Sequence, residues 1–190
     1  MPTHSLFPTR LYEAGLGDQQ LLAELAHSVR TLARDDEAGR SWSKAHRYAG
    51  YTSYASLNDL PKRDPAFADV AKLLQRHAAS FARELGWNVK PKLDSLWANL
   101  LKSGGQHSGH IHPHSAISGT FYVAVPKDSG AIRFEDPRLP LMMAAPSRPD
   151  TFVTIEPRPG LLLLWESWLR HEVLPGTGKG ERLSISFNFA

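Results

Sequence analysis

Residues 104–122 read GGQHSGHIHPHSAISGTFY. Four of the nine histidines of the chain fall here: His107, His110, His112 and His114. The run Gly119–Val125 that follows has the texture of a strand. Alternate residues of an extended chain share a face, so the pair His110-x-His112 aims two imidazoles at one point. His112-x-His114 is the other pair within reach, with Pro113 between its members to distort a regular strand. Two imidazoles converging from a rigid element make half of a metal site. Taken alone, the cluster reads as a polar loop with incidental histidines, so the rest of the chain has to supply the other half.

The composition narrows what that half can be. The chain has 190 residues, 42% of them hydrophobic and 22% charged, enough for a real core and too ordered a composition for a disordered segment. There is no cysteine, which removes disulfide scaffolds, thiolate zinc sites, iron–sulfur clusters and cysteine nucleophiles together. Any metal is therefore held by His, Asp or Glu. The net charge of +3 is spread over scattered Lys and Arg without a dense basic stripe, which speaks against a nucleic-acid partner. The opening residues MPTHSLFPTRLYEAG lack the charged-then-apolar pattern of a secretory signal, and no apolar run has the length of a membrane span. A cytoplasmic protein that neither enters a membrane nor binds nucleic acid is expected.

Upstream of the histidines the pattern is helical. Residues 1–17 suggest an arm or a first strand. Asp18 is placed to cap a helix running to about Leu32, with Leu21, Leu22, Leu25, Val29 and Leu32 on one face. Residues 35–64, polar but holding Trp42, Tyr48, Tyr51 and Tyr54, read as a long loop with a short helix near Ala55–Asp59. Asp64-Pro65 starts a second helix that stops at Gly86. From Leu93 onward short β-like runs alternate with turns: Leu93–Leu101, Gly119–Val125, Ala131–Phe134, Phe152–Ile155, Leu161–Trp165, His171–Val173 and Arg182–Phe189. The segment EDPRLPLMMAAPSRPD, residues 135–150, is expected to loop over one end of the β structure. Helices followed by short strands predict a sandwich or small barrel of seven or eight strands. The last strand, RLSISFNF, puts Arg182, Ser184, Ser186 and Asn188 on one face and Leu183, Ile185, Phe187 and Phe189 on the other. Its polar face is expected to line a cavity and its apolar face to meet the helices. Trp165 and Trp168 are expected in the core.

A set of spaced residues then resembles a known family. Trp97-Ala98-Asn99, His110-Ile111-His112-Pro113 with Ser115, Ser118, Gly119 and Tyr122, Pro159-Gly160, Trp165-Glu166-Ser167, His171, and Arg182-Leu183-Ser184-Ile185-Ser186-Phe187-Asn188 are similar to a bacterial, largely uncharacterised family of 2-oxoglutarate/iron(II) oxygenases. The resemblance implies an α+β, mainly β fold: a double-stranded β-helix, or jelly-roll, over residues 93–190, with residues 1–92 as a helical and loop extension packed on one sheet. It implies Fe(II) held by His110, His112 and His171, and 2-oxoglutarate held by Arg182, which lies eleven residues after His171, with Ser184, Asn99 and Tyr122 assisting. Three protein ligands leave three positions on the metal, two for the 2-oxo acid and one for O₂. A planar guanidinium suits a carboxylate because it grips both oxygens. The activity implied is hydroxylation or another oxidation of an organic substrate, a small molecule or a peptide, coupled to conversion of 2-oxoglutarate to succinate and CO₂. A homodimer is compatible with it.

The chain departs from the usual pattern of these oxygenases at one position, where His112 stands in place of a carboxylate. Three neutral imidazoles leave a ferrous ion its full +2 charge, which raises its potential and tightens anionic ligands. Glu135, Asp136 and Glu166 are the carboxylates near enough in sequence to be considered as a substitute ligand, but none has the expected spacing. Two rival readings remain open. One is a cupin-like three-His metalloprotein, with Fe or Zn and no use of 2-oxoglutarate. Gly104 and His110-x-His112 fit the opening of a cupin motif, but Ala116 and Ile117 stand where its glutamate belongs, and Gly160 is too far before His171. The other is a non-catalytic ligand-binding barrel.

Overall fold

The computed structural model describes residues 1–138, 146 and 151–190. Two antiparallel sheets face each other, and helices cover the outer face of the larger one. The large sheet has the order β1(Leu11–Gly15)-β8(Leu161–Glu166)-β5(Ile117–Ala124)-β10(Arg182–Phe189)-β3(Leu93–Leu101)-β2(Gly50–Thr52). The small sheet has the order β4(His107–His110)-β9(His171–Val173)-β6(Ile132–Glu135)-β7(Phe152–Ile155). This is the jelly-roll arrangement, with ten strands among the described residues.

Strand alternation sorts the large sheet into two faces. Leu96, Ala98 and Leu100 of β3, Phe121 and Val123 of β5, Leu162 and Leu164 of β8, and Leu183, Ile185, Phe187 and Phe189 of β10 all point to the helix side. They pack there against Leu22, Leu25 and Val29 of α1(Gln19–Asp35) and Phe67, Val70, Leu74 and Phe81 of α3(Pro65–Glu84). Tyr122, Leu161, Leu163 and Trp165 point the other way and meet Ile132 and Phe134 of the small sheet. The apolar and polar faces read from RLSISFNF are the faces observed. Both long helices begin as expected: Asp18 accepts from Leu21 N at 3.0 Å, and Asp64 accepts from Ala66 N at 2.8 Å.

Three expectations are corrected. Residues 35–64 are not a long loop. They hold a helix, α2(Glu37–Ala45), the edge strand β2 and a 3₁₀ turn at Leu60–Lys62. α2 carries Gly39 and two serines, poor helix formers, and its support is tertiary. Asp36 accepts from Gly39 N at 3.0 Å, Tyr51 Oη at 2.8 Å and Ser56 Oγ at 2.5 Å, tying the helix start to the segment after it. Gly50 starts β2 at φ 146°, so close to Leu100 that a Cβ would meet its carbonyl oxygen. Trp168 is not core: it is 47% exposed, while Trp165 is buried. The β-like run after the histidines begins earlier than read, at Ile117. The loop expected over residues 135–150 falls mostly outside the described residues.

Candidate metal centre and its pocket

His110 ends β4 and lies directly across from His171 of β9. His112 is not on the strand with His110, as the H-x-H spacing suggested. It lies just beyond β4, where its amide donates to Ser167 O at 3.0 Å. Pro113 after it favours an extended backbone, and His114 then turns the chain at φ 70°. The acceptor on Ser167 is itself fixed: Ser167 Oγ and Ser118 Oγ lie 2.7 Å apart, and Ser118 Oγ donates to Asn188 Oδ1 at 2.8 Å. Gly119 next to it leaves room for the Phe187 ring and Leu163 O, which a Cβ would strike. The S-x-x-S-G spacing thus has a structural reason. It anchors the loop that carries His112 onto the large sheet.

The three imidazoles converge. One nitrogen from each of His110, His112 and His171 lies within 4.8 Å of the others, which gives a group able to hold a metal ion. Nδ1 of His110 is 2.7 Å from Ser108 O, and Nδ1 of His171 is 3.0 Å from Leu169 O. A ring nitrogen facing a carbonyl carries the proton, so both rings turn an Nε2 lone pair toward the centre. Nε2 of His112 and Nε2 of His171 are 3.4 Å apart. Two nitrogens each about 2.0–2.1 Å from one metal ion sit about that far apart at a tetrahedral angle. His114 is exposed and lies outside the group, so the His112/His114 pairing is not the one formed. No carboxylate joins the three among the described residues: Glu135 pairs with Arg170 at 2.9 Å and Asp136 with Arg138 at 2.6 Å.

Burial keeps His107, His112 and His171 uncharged. Burial, with His110 beside it, lowers the pKa of His112 to about 4. Burial, then the neighbouring histidines, lowers His171 to about 3 against the opposing bond to Leu169 O. Burial, Arg182 and His110 lower His107 to about 3. An unfolded chain titrates its histidines near 6.5, so it takes up these protons first as the pH falls. The folded protein therefore loses stability from about pH 6.5 downward, until the folded-state values near 3–4 are reached. Each group contributes a slope of up to about 1.4 kcal/mol per pH unit. Urea midpoints of the chelator-treated protein at pH 7.5, 6.5 and 5.5 should fall modestly over the first step and about three times as steeply over the second. A level series throughout would show that these histidines titrate normally.

Behind the histidines, the cavity between the sheets is lined by Trp97, His107, Tyr122, Trp165, Arg182, Ser184 and Ser186 among others. Arg182 is only 6% exposed. Its Nη1 donates to Gly130 O at 3.2 Å, its Nε has no partner, and its guanidinium carbon stands 5.0 Å from the centre of the Tyr122 ring. No carboxylate pairs with it among the described residues. The Tyr122 hydroxyl is also buried without a partner, and burial raises its pKa against the pull of Arg182. Ser184 shares the cavity wall. Asn99 points to the same side, but its amide is engaged: Oδ1 accepts from Thr52 Oγ1 at 2.8 Å and Nδ2 donates to Ser186 Oγ at 3.0 Å.

Sequence reasoning missed Tyr48 and gave His107 no role. The Tyr48 hydroxyl is 2.7 Å from His107 Nε2, so a residue just after α2 reaches a side chain that lines the pocket. Its signal was weak, because Tyr48 sits in the segment read as a loop. The aromatic residues of that segment approach the metal group from outside: Tyr54 meets Trp97 edge-on at 5.2 Å, and Trp97 lies 6.2 Å from His112.

Comparison with known proteins agrees with this geometry. Residues 95–188 match the family described as "Putative 2OG-Fe(II) oxygenase". No curated protein matches the sequence. Among solved structures, a prolyl-4-hydroxylase from Pseudomonas putida superposes with a TM-score of 0.68 at 18% identity, covering 95% of this chain and 92% of that one. The non-heme alpha-ketoglutarate-dependent epimerase SnoN from nogalamycin biosynthesis gives 0.67 at 18% identity, covering 96% of this chain and 78% of that one. HygX from Streptomyces hygroscopicus, with nickel and 2-oxoglutarate bound, gives 0.62 at 15% identity, covering 96% and 82%. These likenesses carry the fold alone. The family match runs from within β3 to within β10 on this shared fold, so the β core of this chain, residues 95–188, is similar to the family of 2-oxoglutarate/iron(II) oxygenases.

Proposed function

We propose that the protein oxidises an organic substrate using Fe(II) held by His110, His112 and His171 and 2-oxoglutarate anchored by Arg182. The observation that carries this reading is the buried Arg182. A cation taken out of water without a counter-ion is costly, and here it lines the same cavity as a group able to hold a metal. A dicarboxylate whose 2-oxo end meets the metal and whose far carboxylate meets Arg182 satisfies both. The unpartnered Tyr122 hydroxyl and Ser184 are the other candidate donors to it. The relatives lend support: on this fold SnoN is found in complex with Fe³⁺ and alpha ketoglutarate, and HygX with nickel and 2-oxoglutarate.

Bound iron and 2-oxoglutarate supply the oxidising chemistry, with succinate and CO₂ as by-products. The chain's own residues orient and shield it. The carbonyls of Ser108 and Leu169 hold the His110 and His171 rings in the ligating tautomer, and the lowered pKa values of His112 and His171 keep those two rings uncharged at neutral pH. Trp165 stacks edge-on to His171 at 4.6 Å and, with Phe134, keeps water from that side. The free cavity is ≈ 50 Å³, room for a few waters, so a five-carbon diacid enters by displacing lining side chains. Trp97 and Tyr54, with the 42–54 segment, are the proposed cover for the substrate, which is a small molecule or a peptide side chain. A cytoplasmic setting and a homodimer belong to the same proposal. Among the described residues no helix is long and apolar enough to cross a membrane. A three-His zinc or cupin-like chemistry would use the histidines but leave Arg182 without a task.

Anaerobic addition of Fe(II) and 2-oxoglutarate should produce the weak visible metal-to-ligand charge-transfer band of a chelated 2-oxo acid. Fe(II) binding with no band would remove 2-oxoglutarate from the reading and leave the three-His metalloprotein.

A further inference from the structure

The pocket has a polar wall that none of the family-motif residues explains. His107 opens β4, three residues before His110, and lines the cavity that also holds Arg182 and the three ligating histidines. Its Nε2 is 2.7 Å from the Tyr48 hydroxyl, and the two rings lie 5.2 Å apart. The same hydroxyl is 3.4 Å from Asn99 Oδ1, which also accepts from Thr52 Oγ1 at 2.8 Å. A hydrogen bond weakens steeply over that difference, so the hydroxyl proton goes to His107 Nε2. The proton of His107 then resides on Nδ1, which has no partner among the described residues.

Charge describes the same place. Arg182 and His110 are both close enough to act on His107, and all three line the same cavity. A ligand that reaches from the metal to Arg182 shares this small cavity with the His107 ring. Such a ligand is an anion and needs donors along its length, and a neutral imidazole with an idle Nδ1–H is one.

We propose that His107, held by Tyr48, is a further binding residue of the cosubstrate pocket, donating a hydrogen bond to the 2-oxo acid between the metal and Arg182. Tyr48 is the positioning residue that fixes its tautomer. Asn99 then acts at one remove, through its bonds to Thr52 and Ser186, which brace the strand beside Tyr48. The inference rests on the 2-oxoglutarate reading above and assigns a role to two side chains outside the motif.

The test is an anaerobic titration of the Fe(II) protein with 2-oxoglutarate, followed by the charge-transfer band, in wild type, His107→Phe, His107→Gln and Tyr48→Phe. Loss of one hydrogen bond to an anionic ligand should weaken 2-oxoglutarate about tenfold in His107→Phe, with Fe(II) affinity within about twofold of wild type. His107→Gln, which keeps a donor, should recover part of the loss. Tyr48→Phe should show a smaller loss, and ¹⁵N NMR of the His107 ring should change from the Nδ1–H tautomer toward a mixture. If wild type gives the band and His107→Phe binds 2-oxoglutarate equally well, the inference falls and the function stands. If wild type gives no band, the function reading falls first. Loss of Fe(II) together with 2-oxoglutarate in both His107 variants would make His107 a structural part of the metal centre and overturn the proposal.

Discussion

His171→Ala should abolish Fe(II) binding at micromolar metal while leaving the protein folded. His171 is the ligand held most firmly. It is 5% exposed, sits in the middle of the small sheet across from His110, and is oriented by Leu169 O. Its Nε2 is 3.4 Å from His112 Nε2, so alanine removes one corner of the group and leaves two imidazoles where three converged. Losing only the partner that orients a ligand costs about 10–100-fold in metal affinity, so losing the ligand itself should cost more. Stability should fall by no more than about 1–3 kcal/mol, since the site is partly polar and one low-pKa histidine goes with it. Anaerobic equilibrium dialysis with Fe(II), and circular dichroism of the same samples, give both answers. His114→Ala is the comparison. It lies in the turn after Pro113, exposed and outside the group, and its metal affinity should equal wild type. If His171→Ala still binds Fe(II) while His114→Ala does not, the ligands have been assigned to the wrong pair.

The difference between these two histidines marks what the sequence could say. The period-two pattern of RLSISFNF sorts a wet face from a dry one by elementary strand geometry, and β10 bears it out from Arg182 to Phe189. The helix caps Asp18 and Asp64 were legible for the same reason: the chemistry of the cap lies within three residues of its partner. His112 was legible as a ligand but not as to how it is held. An H-x-H pair suggests one strand, whereas His112 is carried by a loop that Ser167, Ser118 and Asn188 tie down from three separate parts of the chain. Tyr48 was legible only as one aromatic residue of a segment read as a loop, not as a partner of His107. The helix before it rests on Asp36 reaching Tyr51 and Ser56, contacts that no local periodicity records. What the sequence hides in this molecule is whatever depends on side chains meeting across long separations, and that includes the bond between Tyr48 and His107.

Arg182→Met should weaken 2-oxoglutarate by between about 30-fold and several thousand-fold, leave Fe(II) affinity unchanged, and leave the ligand-free protein at least as stable as wild type. The first effect follows from removing a charged, forked donor from a carboxylate out of water, which costs about 2–5 kcal/mol. The second follows from its place: Arg182 opens β10, bonds to Gly130 O and stacks near Tyr122, and touches none of the three histidines. The third separates a binding residue from a structural one. A structural arginine pays its way through ion pairs, and its loss destabilises. Arg182 has no carboxylate partner among the described residues and an unpartnered Nε, and the contact with the Tyr122 ring offsets only part of its desolvation. An unbranched apolar side chain of similar length fills the same space without that cost. Charge-transfer titration, metal dialysis and a thermal melt of the chelated protein read the three effects independently. A fall of several degrees in the melting temperature with 2-oxoglutarate binding intact would turn Arg182 from an anchor for the cosubstrate into a strut of the barrel.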